Sequence, residues 1–294
     1  MIAFAEDTSG ISVSFEFFPP KPEAQDSFWA TIAKLETVNP SFVSVTYGAG
    51  GTTRDRTLDT VRRIVTETSL SPAAHLTCVN ASRAETLEIA ETYAQAGVTQ
   101  IVALRGDAPK GEAKFTAHPE GFASSVELIS ALADTGKFTL RVGAYPEKHP
   151  EASSLAADID WLKAKLDAGA TSAITQFFFE AETFFRFRDA ATRAGITAPI
   201  IPGILPIENW AGARRFAEAC GTSIPQVVSD AFEHATRDGN TDLLATALAT
   251  ELCDDLIEGG VDHLHFYTLN RPELTRDVCH ALGVSPKVRL QNVA

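Results

Sequence analysis

Residues 82–107 read SRAETLEIAETYAQAGVTQIVALRGD, and this stretch holds one complete unit of the fold. Ser82 followed by Glu85 is a capping box, which predicts that a helix opens there. Ala96-Gly97-Val98-Thr99 closes that helix, with Gly97 suited to the left-handed position just past a helix end. QIVALRG (100–106) is rich in β-branched residues and predicts a strand. The same punctuation recurs at Ala168-Gly169-Ala170-Thr171 and Ala194-Gly195-Ile196-Thr197, each time just before another apolar run. One helix–strand unit is therefore being reused.

Outward from that unit, strands are predicted over 11–18, 42–47, 73–78, 100–106, 139–145, 172–179, 199–206 and 261–269. Helical spacing lies between them, as in Leu155, Ile159, Leu162 and Leu166, or Phe28, Ile32 and Leu35. No hairpin signal interrupts the alternation, so the sheet should be all-parallel. Near-continuous apolar strands fit burial on both faces. The even spacing of eight units favours a closed (β/α)8 TIM barrel over an open doubly wound sheet. Residues 207–260 break the rhythm with a helix begun at Asn209 and another over 242–257, an expected insertion before the last strand. No Pro/Gly/Ser-rich linker divides the chain, so residues 1–294 are expected to form a single catalytic barrel domain.

The 294 residues carry 45% hydrophobic and 21% charged side chains, an ordinary globular balance. A net charge of −13 argues against binding to nucleic acid or to anionic membranes. Cys78, Cys220, Cys253 and Cys279 form no CxxC pair, which predicts reduced, mostly buried thiols. The start MIAFAEDTSG lacks a basic n-region, and no long apolar span follows. A cytoplasmic location is expected.

Barrel chemistry sits at the C-terminal ends of the strands, and the polar residues gather there. Glu16 interrupts Phe15 and Phe17-Phe18. Thr46 and Tyr47 end the second strand; His75 and Thr77 end the third. Arg105-Gly106-Asp107, Tyr145, Gln176, and Asn270-Arg271 end the fourth, fifth, sixth and eighth. Burial among phenylalanines should raise the Glu16 pKa and keep a proton ready for donation; a structural ion pair with Arg105 or Arg271 is the alternative. Gly106 would let backbone approach a ligand, or Arg105 and Asp107 simply neutralise each other. Gly48 to Thr53 fails the dinucleotide test, because Thr53 occupies the third glycine position. Asp158 and Lys165 share a helix face, either as solvated charges or with Lys165 meeting a phosphate. His263 and His265 share one strand face and read as core or supporting histidines rather than metal ligands, and no metal site is expected.

VSFEFFPPK (13–21), FVSVTYGAGG (42–51), HLTC (75–78), IVALRGD (101–107), AYPEKHPEA (144–152), DAGA (167–170), ITQFFFE (174–180), IPGILPI (201–207) and FYTLNRPE (266–273) together resemble methylenetetrahydrofolate reductase of the short bacterial kind. They occur in the family's order over nearly the whole chain, and the added regulatory domain of eukaryotic enzymes is expected to be absent. The resemblance implies a barrel that holds FAD, takes hydride from NADH or NADPH with NADH favoured, and reduces 5,10-methylenetetrahydrofolate to 5-methyltetrahydrofolate for methionine synthesis. It implies a ping-pong scheme in one shared pocket and a homo-oligomer. Glu16 matches the general acid, and Asp107 the carboxylate between flavin and folate. Gln176, Phe216 and Arg271 match substrate contacts. Flavin contacts are implied at Thr46, Tyr47, Ala49, His75, Arg105, Gly106, Asp107, Phe122, Ala123, Tyr145, His149 and Ala152. On the helix that would hold the adenosine and diphosphate, they are implied at Asp158, Trp161, Ala164 and Lys165. A proline-dehydrogenase-like flavin barrel and a non-catalytic folate- or flavin-binding subunit are the competing readings. An aldolase-like barrel would need a strand lysine, and the predicted strands contain none.

Overall fold

The computed structural model describes residues 10–48, 53–107 and 115–284. In chain order its elements are β1 (Ser12–Phe17), α1 (Gln25–Glu36), β2 (Phe42–Val45), α2 (Arg54–Glu67), β3 (Pro72–Thr77), α3 (Arg83–Gln95), β4 (Gln100–Leu104), α4 (Ser125–Asp134), β5 (Thr139–Ala144) and α5 (Leu155–Asp167). They continue with β6 (Ser172–Thr175), α6 (Ala181–Arg193), β7 (Ile200–Ile201), β8 (Gly203–Ile204), α7 (Trp210–Cys220), α8 (Gln226–Asp238), α9 (Thr241–Glu258), β9 (His263–Tyr267) and α10 (Pro272–Ala281).

The strands pair in the order β7-β6-β5-β4-β3-β2-β1-β9-β8, and every pairing is parallel. β7 and β8 are two halves of one extended run, so the ring closes through that run and the predicted TIM barrel is observed. The sequence reading had a single strand over 199–206. Pro202 splits it, because proline has no N–H to give to a ladder. Above the break, β8 pairs with β9 instead of β6.

Side chains repair the interruption. The Pro202 carbonyl accepts from the His265 N–H at 3.0 Å. The Gly203 N–H donates to the Thr175 hydroxyl at 2.9 Å, and the Tyr267 hydroxyl donates to the Thr175 carbonyl at 2.6 Å. A Cβ on Gly203 would lie 2.2 Å from that carbonyl oxygen and 2.6 Å from the Tyr267 ring. Only glycine fits. β6 ends at Thr175, the Gln176 N–H gives one last bond to the Ala144 carbonyl at 2.8 Å, and Phe177 to Phe179, predicted as strand, lie beyond the ladder at the mouth.

The reused helix ending is observed: Gly97, Gly169 and Gly195 have φ of +85°, +118° and +83°. The N–H of Val98 reaches back to the Tyr93 carbonyl, and that of Ile196 to Ala191, each at 3.0 Å. Ser82 and Glu85 form both bonds of the capping box. Between β8 and β9 the chain forms three helices rather than the two predicted. The Asn209 side chain caps α7 by accepting from the Gly212 N–H. The helix missed is α8, whose single buried residue, Phe232, leaves too sparse an apolar face to register as a period. Phe232 anchors it by stacking on Trp210, with ring centroids 4.6 Å apart and an 8° interplanar angle. Burying a ring of that size stabilises by about 1.5–3 kcal/mol.

Gly203→Ala should therefore lower stability by roughly 1–3 kcal/mol, the usual overpacking range, read as a lower urea midpoint. Gly143→Ala, where an added Cβ would only touch Leu104 at 3.7 Å, should leave the midpoint nearly unchanged.

Candidate active site

Glu16 lies on β1, opposite Ser44 of β2 and Tyr267 of β9. Its Oε2 is 3.3 Å from Nε2 of His75 and 3.9 Å from Nε2 of His265, and Ser44 Oγ donates to it at 3.4 Å. Neither imidazole points squarely at the carboxylate, so both nitrogens lack an aligned partner. They act at ion-pair range.

This overturns both expectations for Glu16. Burial does push its pKa up, but the close approach of His265 and His75 outweighs it and brings the carboxyl down to about 2. Glu16 is thus ionised rather than holding a proton. The arginines are engaged elsewhere: Arg105 with Glu151 at 2.6 Å, and Arg271 with Glu208 at 2.8 Å. The alternative of Arg105 and Asp107 cancelling each other gives way for the same reason. His265 is fully buried and its pKa is lowered, by burial first; His263 is lowered by burial to about 4.

One cleft lies over β3, β4, β5 and α5. Tyr47, Gly106, Asp107, Tyr145, His149 and Ala152 line it, with Asp158, Trp161 and Lys165 on α5. Gly106 has φ +88°, and a Cβ there would meet Val79 at 2.6 Å. The Tyr145 and His149 rings meet edge to face at 4.6 Å. Asp158 accepts from the His149 N–H at 2.8 Å, and Lys148 holds the Ala152 carbonyl at 2.7 Å. Lys165 is buried, with its ammonium on the Gly143 carbonyl. Burial lowers its pKa to about 8, with Asp158 opposing. It is therefore not one of two solvated charges.

A second groove is lined by Phe18, Phe216, Leu269, Arg271 and Glu208. Phe216 is 40% exposed and stacks on Phe177 at 5.2 Å. Asn270 clamps Phe18 through both backbone groups, at 2.8 and 2.9 Å. Leu269 and Asn270 both have positive φ, +48° and +60°, and such strain in non-glycine residues collects at ligand sites. Gln176 donates to Cys220 Sγ at 3.2 Å. Asp107 raises the pKa of Cys220 and Tyr145 after burial does, and Glu16 and Tyr145 do the same to Tyr267. The first cleft and the Glu16 cluster thus share one electrostatic neighbourhood.

Some expected contacts fall short. The Phe122 side chain is buried beneath the Arg83 guanidinium, 4.8 Å from its ring. Ala123 is exposed just before α4; Thr46 and Ala164 are half-buried. Thr46 instead ties the mouth to α2, its carbonyl accepting from Thr57 at 2.9 Å. Ala49 lies outside the described residues. Sequence reasoning set Thr77 at the end of the third strand but gave it no role, though it lines the first cleft and its buried hydroxyl has no partner among the described residues; Tyr267 it passed over. An isolated tyrosine or threonine at a strand end carries too common a signal to single out.

The family description of methylenetetrahydrofolate reductase matches residues 2–283. The chain belongs to that family. It is 46% identical to the 5,10-methylenetetrahydrofolate reductase of Salmonella typhimurium, over 97% of this chain and 95% of that one. The enzyme of the same name from Pectobacterium carotovorum is 43% identical over the same shares. The chain is accordingly an oxidoreductase. A solved protein from Clostridium thermocellum, described as binding two copies of 5-methyl-5,6,7,8-tetrahydrofolic acid, superposes with a TM-score of 0.60. It is 13% identical over 92% of this chain and 93% of that one, a likeness that carries the barrel alone. Among the described residues no helix is long and apolar enough to cross a membrane.

The depressed pKa values set the direction of acid sensitivity. As pH falls from 6.5 to about 4, the unfolded chain binds a proton at His263 that the folded chain refuses. As it falls from 4.5 to about 2, the same holds at Glu16. Stability is present above each window and is lost on descent through it. His263→Gln should flatten the upper part of a plot of urea midpoint against pH, and Glu16→Gln the lower part.

Proposed function

We propose that the chain reduces 5,10-methylenetetrahydrofolate to 5-methyltetrahydrofolate with NADH or NADPH, through FAD, in a ping-pong cycle at one mouth. The observation that carries this reading is a buried, ionised glutamate at the strand ends, with Phe18 and Thr268 of the aromatic groove just past β1 and β9 and Thr77 of the polar cleft on β3, in a chain of this family.

The first cleft fits FAD. Lys165 is an ammonium buried at some cost, and one carbonyl uses only one of its three donors. A diphosphate would satisfy the others. The unpartnered Thr77 hydroxyl and the close backbone at Gly106 suit a polar ring edge lying against β3 and β4. Tyr47, Tyr145, His149, Ala152, Asp158 and Trp161 would complete the holding set. When bound, the flavin supplies two-electron transfer between the nicotinamide and the folate.

The chain's own residues do the rest. Phe216 and Gln176 would hold the folate or the nicotinamide in turn, with Arg271 on the folate's acidic tail. Asp107 would stabilise the cationic iminium that the folate becomes on ring opening. Glu16 would give the proton that opens the ring. Because it is ionised in the free protein, it must first take up that proton, and ligand cover favours this by removing water from the carboxylate.

A purified chain with a flavin spectrum should bleach when NADH is added without oxygen and regain colour with methylenetetrahydrofolate. Glu16→Gln should bleach normally but recover roughly 10²–10⁴-fold more slowly, the usual weight of a general acid. A protein that FAD cannot colour would sink the flavin reading. Equal recovery in Glu16→Gln would remove that residue's role. Lys165→Met should weaken FAD binding at least ~10-fold by fluorescence titration, the loss of about one charge-assisted bond; unchanged affinity would move the diphosphate away from α5.

A further inference from the structure

Beneath Glu16 a line of hydrogen-bonding groups runs down the barrel interior. Ser14 Oγ is 2.8 Å from Nδ1 of His265. His263 Nε2 is 3.0 Å from Ser14 Oγ and 3.2 Å from Ser41 Oγ. His265 and Ser14 are fully buried, whereas His263 is half-buried and Ser41 exposed at the amino-terminal end of the barrel. The line therefore joins Glu16 to solvent at the end opposite the ligand mouth.

The protons on this line have a single consistent arrangement. The Glu16 carboxylate, 3.9 Å from His265 Nε2, selects the tautomer with its proton on that nitrogen, since a bare lone pair would face a negative charge. His265 Nδ1 must then accept, so Ser14 is the donor. The Ser14 oxygen is left to accept from His263, whose Nε2 therefore carries a proton. Ser41 gives the same answer independently: its hydroxyl donates to the Val13 carbonyl at 3.1 Å, so its oxygen can only accept from His263. The donors of His263, Ser14 and His265 all point toward Glu16. Burial holds both histidines neutral at rest, outweighing the pull of Glu16 on His265, and Arg141 on β5, its guanidinium 4.0 Å over the Phe42 ring, adds to it. Phe42 in turn stacks on His265 at 5.7 Å and holds that ring in place.

We propose that His263, Ser14 and His265 form a one-proton store that recharges Glu16 from the amino-terminal end of the barrel while ligand covers the mouth; this rests on the reductase reading above. A proton taken up at His263 Nδ1 releases the Nε2 proton to Ser14 Oγ. The Ser14 proton passes to His265 Nδ1, and the His265 Nε2 proton passes to a Glu16 oxygen that swings about 1 Å into hydrogen-bond range. One proton enters, one leaves, no electrons move, and both rings are left neutral as their other tautomers. With the mouth open, uptake at His265 Nε2 and release at His263 Nδ1 restore the start. Ser14, His263 and His265 are positioning residues that act through Glu16.

The test pairs two measurements. In histidine-labelled wild-type chain at pH 7, nitrogen NMR should show His263 and His265 neutral with the proton on Nε2. In stopped flow, Ser14→Ala should bleach with NADH at the wild-type rate yet reoxidise with methylenetetrahydrofolate at least ~10-fold more slowly, part of a general acid's weight. Ser14→Thr, which keeps the hydroxyl, should retain the rate. A proton on His265 Nδ1, or a Ser14→Ala variant that reoxidises at the wild-type rate, overturns the store. A wild-type chain that folate does not reoxidise overturns the reductase reading instead, and the NMR result, which needs neither variant nor activity, then decides the store alone.

Discussion

The parallel ladder between β1 and β9 is the constraint on which the rest of the molecule depends. It pairs Ser12 with His263 through Glu16 with Tyr267, residues some 250 positions apart. Joining such distant segments carries a loop-closure cost that helices and neighbouring strands do not meet. Once joined, the ring has no free edge along β1 or β9. The ladder also sets Glu16 beside His265, Ser14 beside His265, and the Glu16 carbonyl within 2.6 Å of the Thr268 hydroxyl. The floor of the site and the closure of the fold are one set of contacts.

On the far side of β9 the closure is less regular, and that irregularity is built into the site. Pro202 interrupts the ladder, Gly203 admits the Tyr267 ring, and Tyr267 with Thr175 restores the missing bonds. Tyr267 stands edge to face with His265 at 5.3 Å and feels the charge of Glu16. A strand that ran on unbroken would keep the segment from Phe177 to Phe179 inside the sheet. Where it ends, the Gln176 side chain turns toward Cys220 at the mouth.

The electrostatics of the floor come from the competition between desolvation and close polar partners. A carboxylate among phenylalanines is costly to bury, and from that alone a raised pKa follows. Two imidazoles reverse the outcome. They come from β9 and β3, so their convergence is a property of the ring and not of any local stretch. Arg105 and Arg271, the partners that sequence position suggested, are instead held outward by Glu151 and Glu208.

What the sequence determined by itself is everything written in a short period: the parallel strands, the glycine-closed helices, the Ser82 cap and the gathering of polar residues at strand ends. Those features are local, and local backbone chemistry is enough to produce them. The order of the motifs along the chain likewise marks the family. The helix around Phe232 was hidden because one anchoring ring leaves no stripe, and Pro202 did not by itself say which neighbour each half-strand would take. Only the tertiary structure decided that Glu16 is ionised, that Lys165 is buried against a backbone carbonyl, that the Phe122 side chain lies under Arg83, and that His263, Ser14 and His265 stand in line. Each of these depends on distances between elements far apart in sequence, and such distances exist only once the barrel has closed.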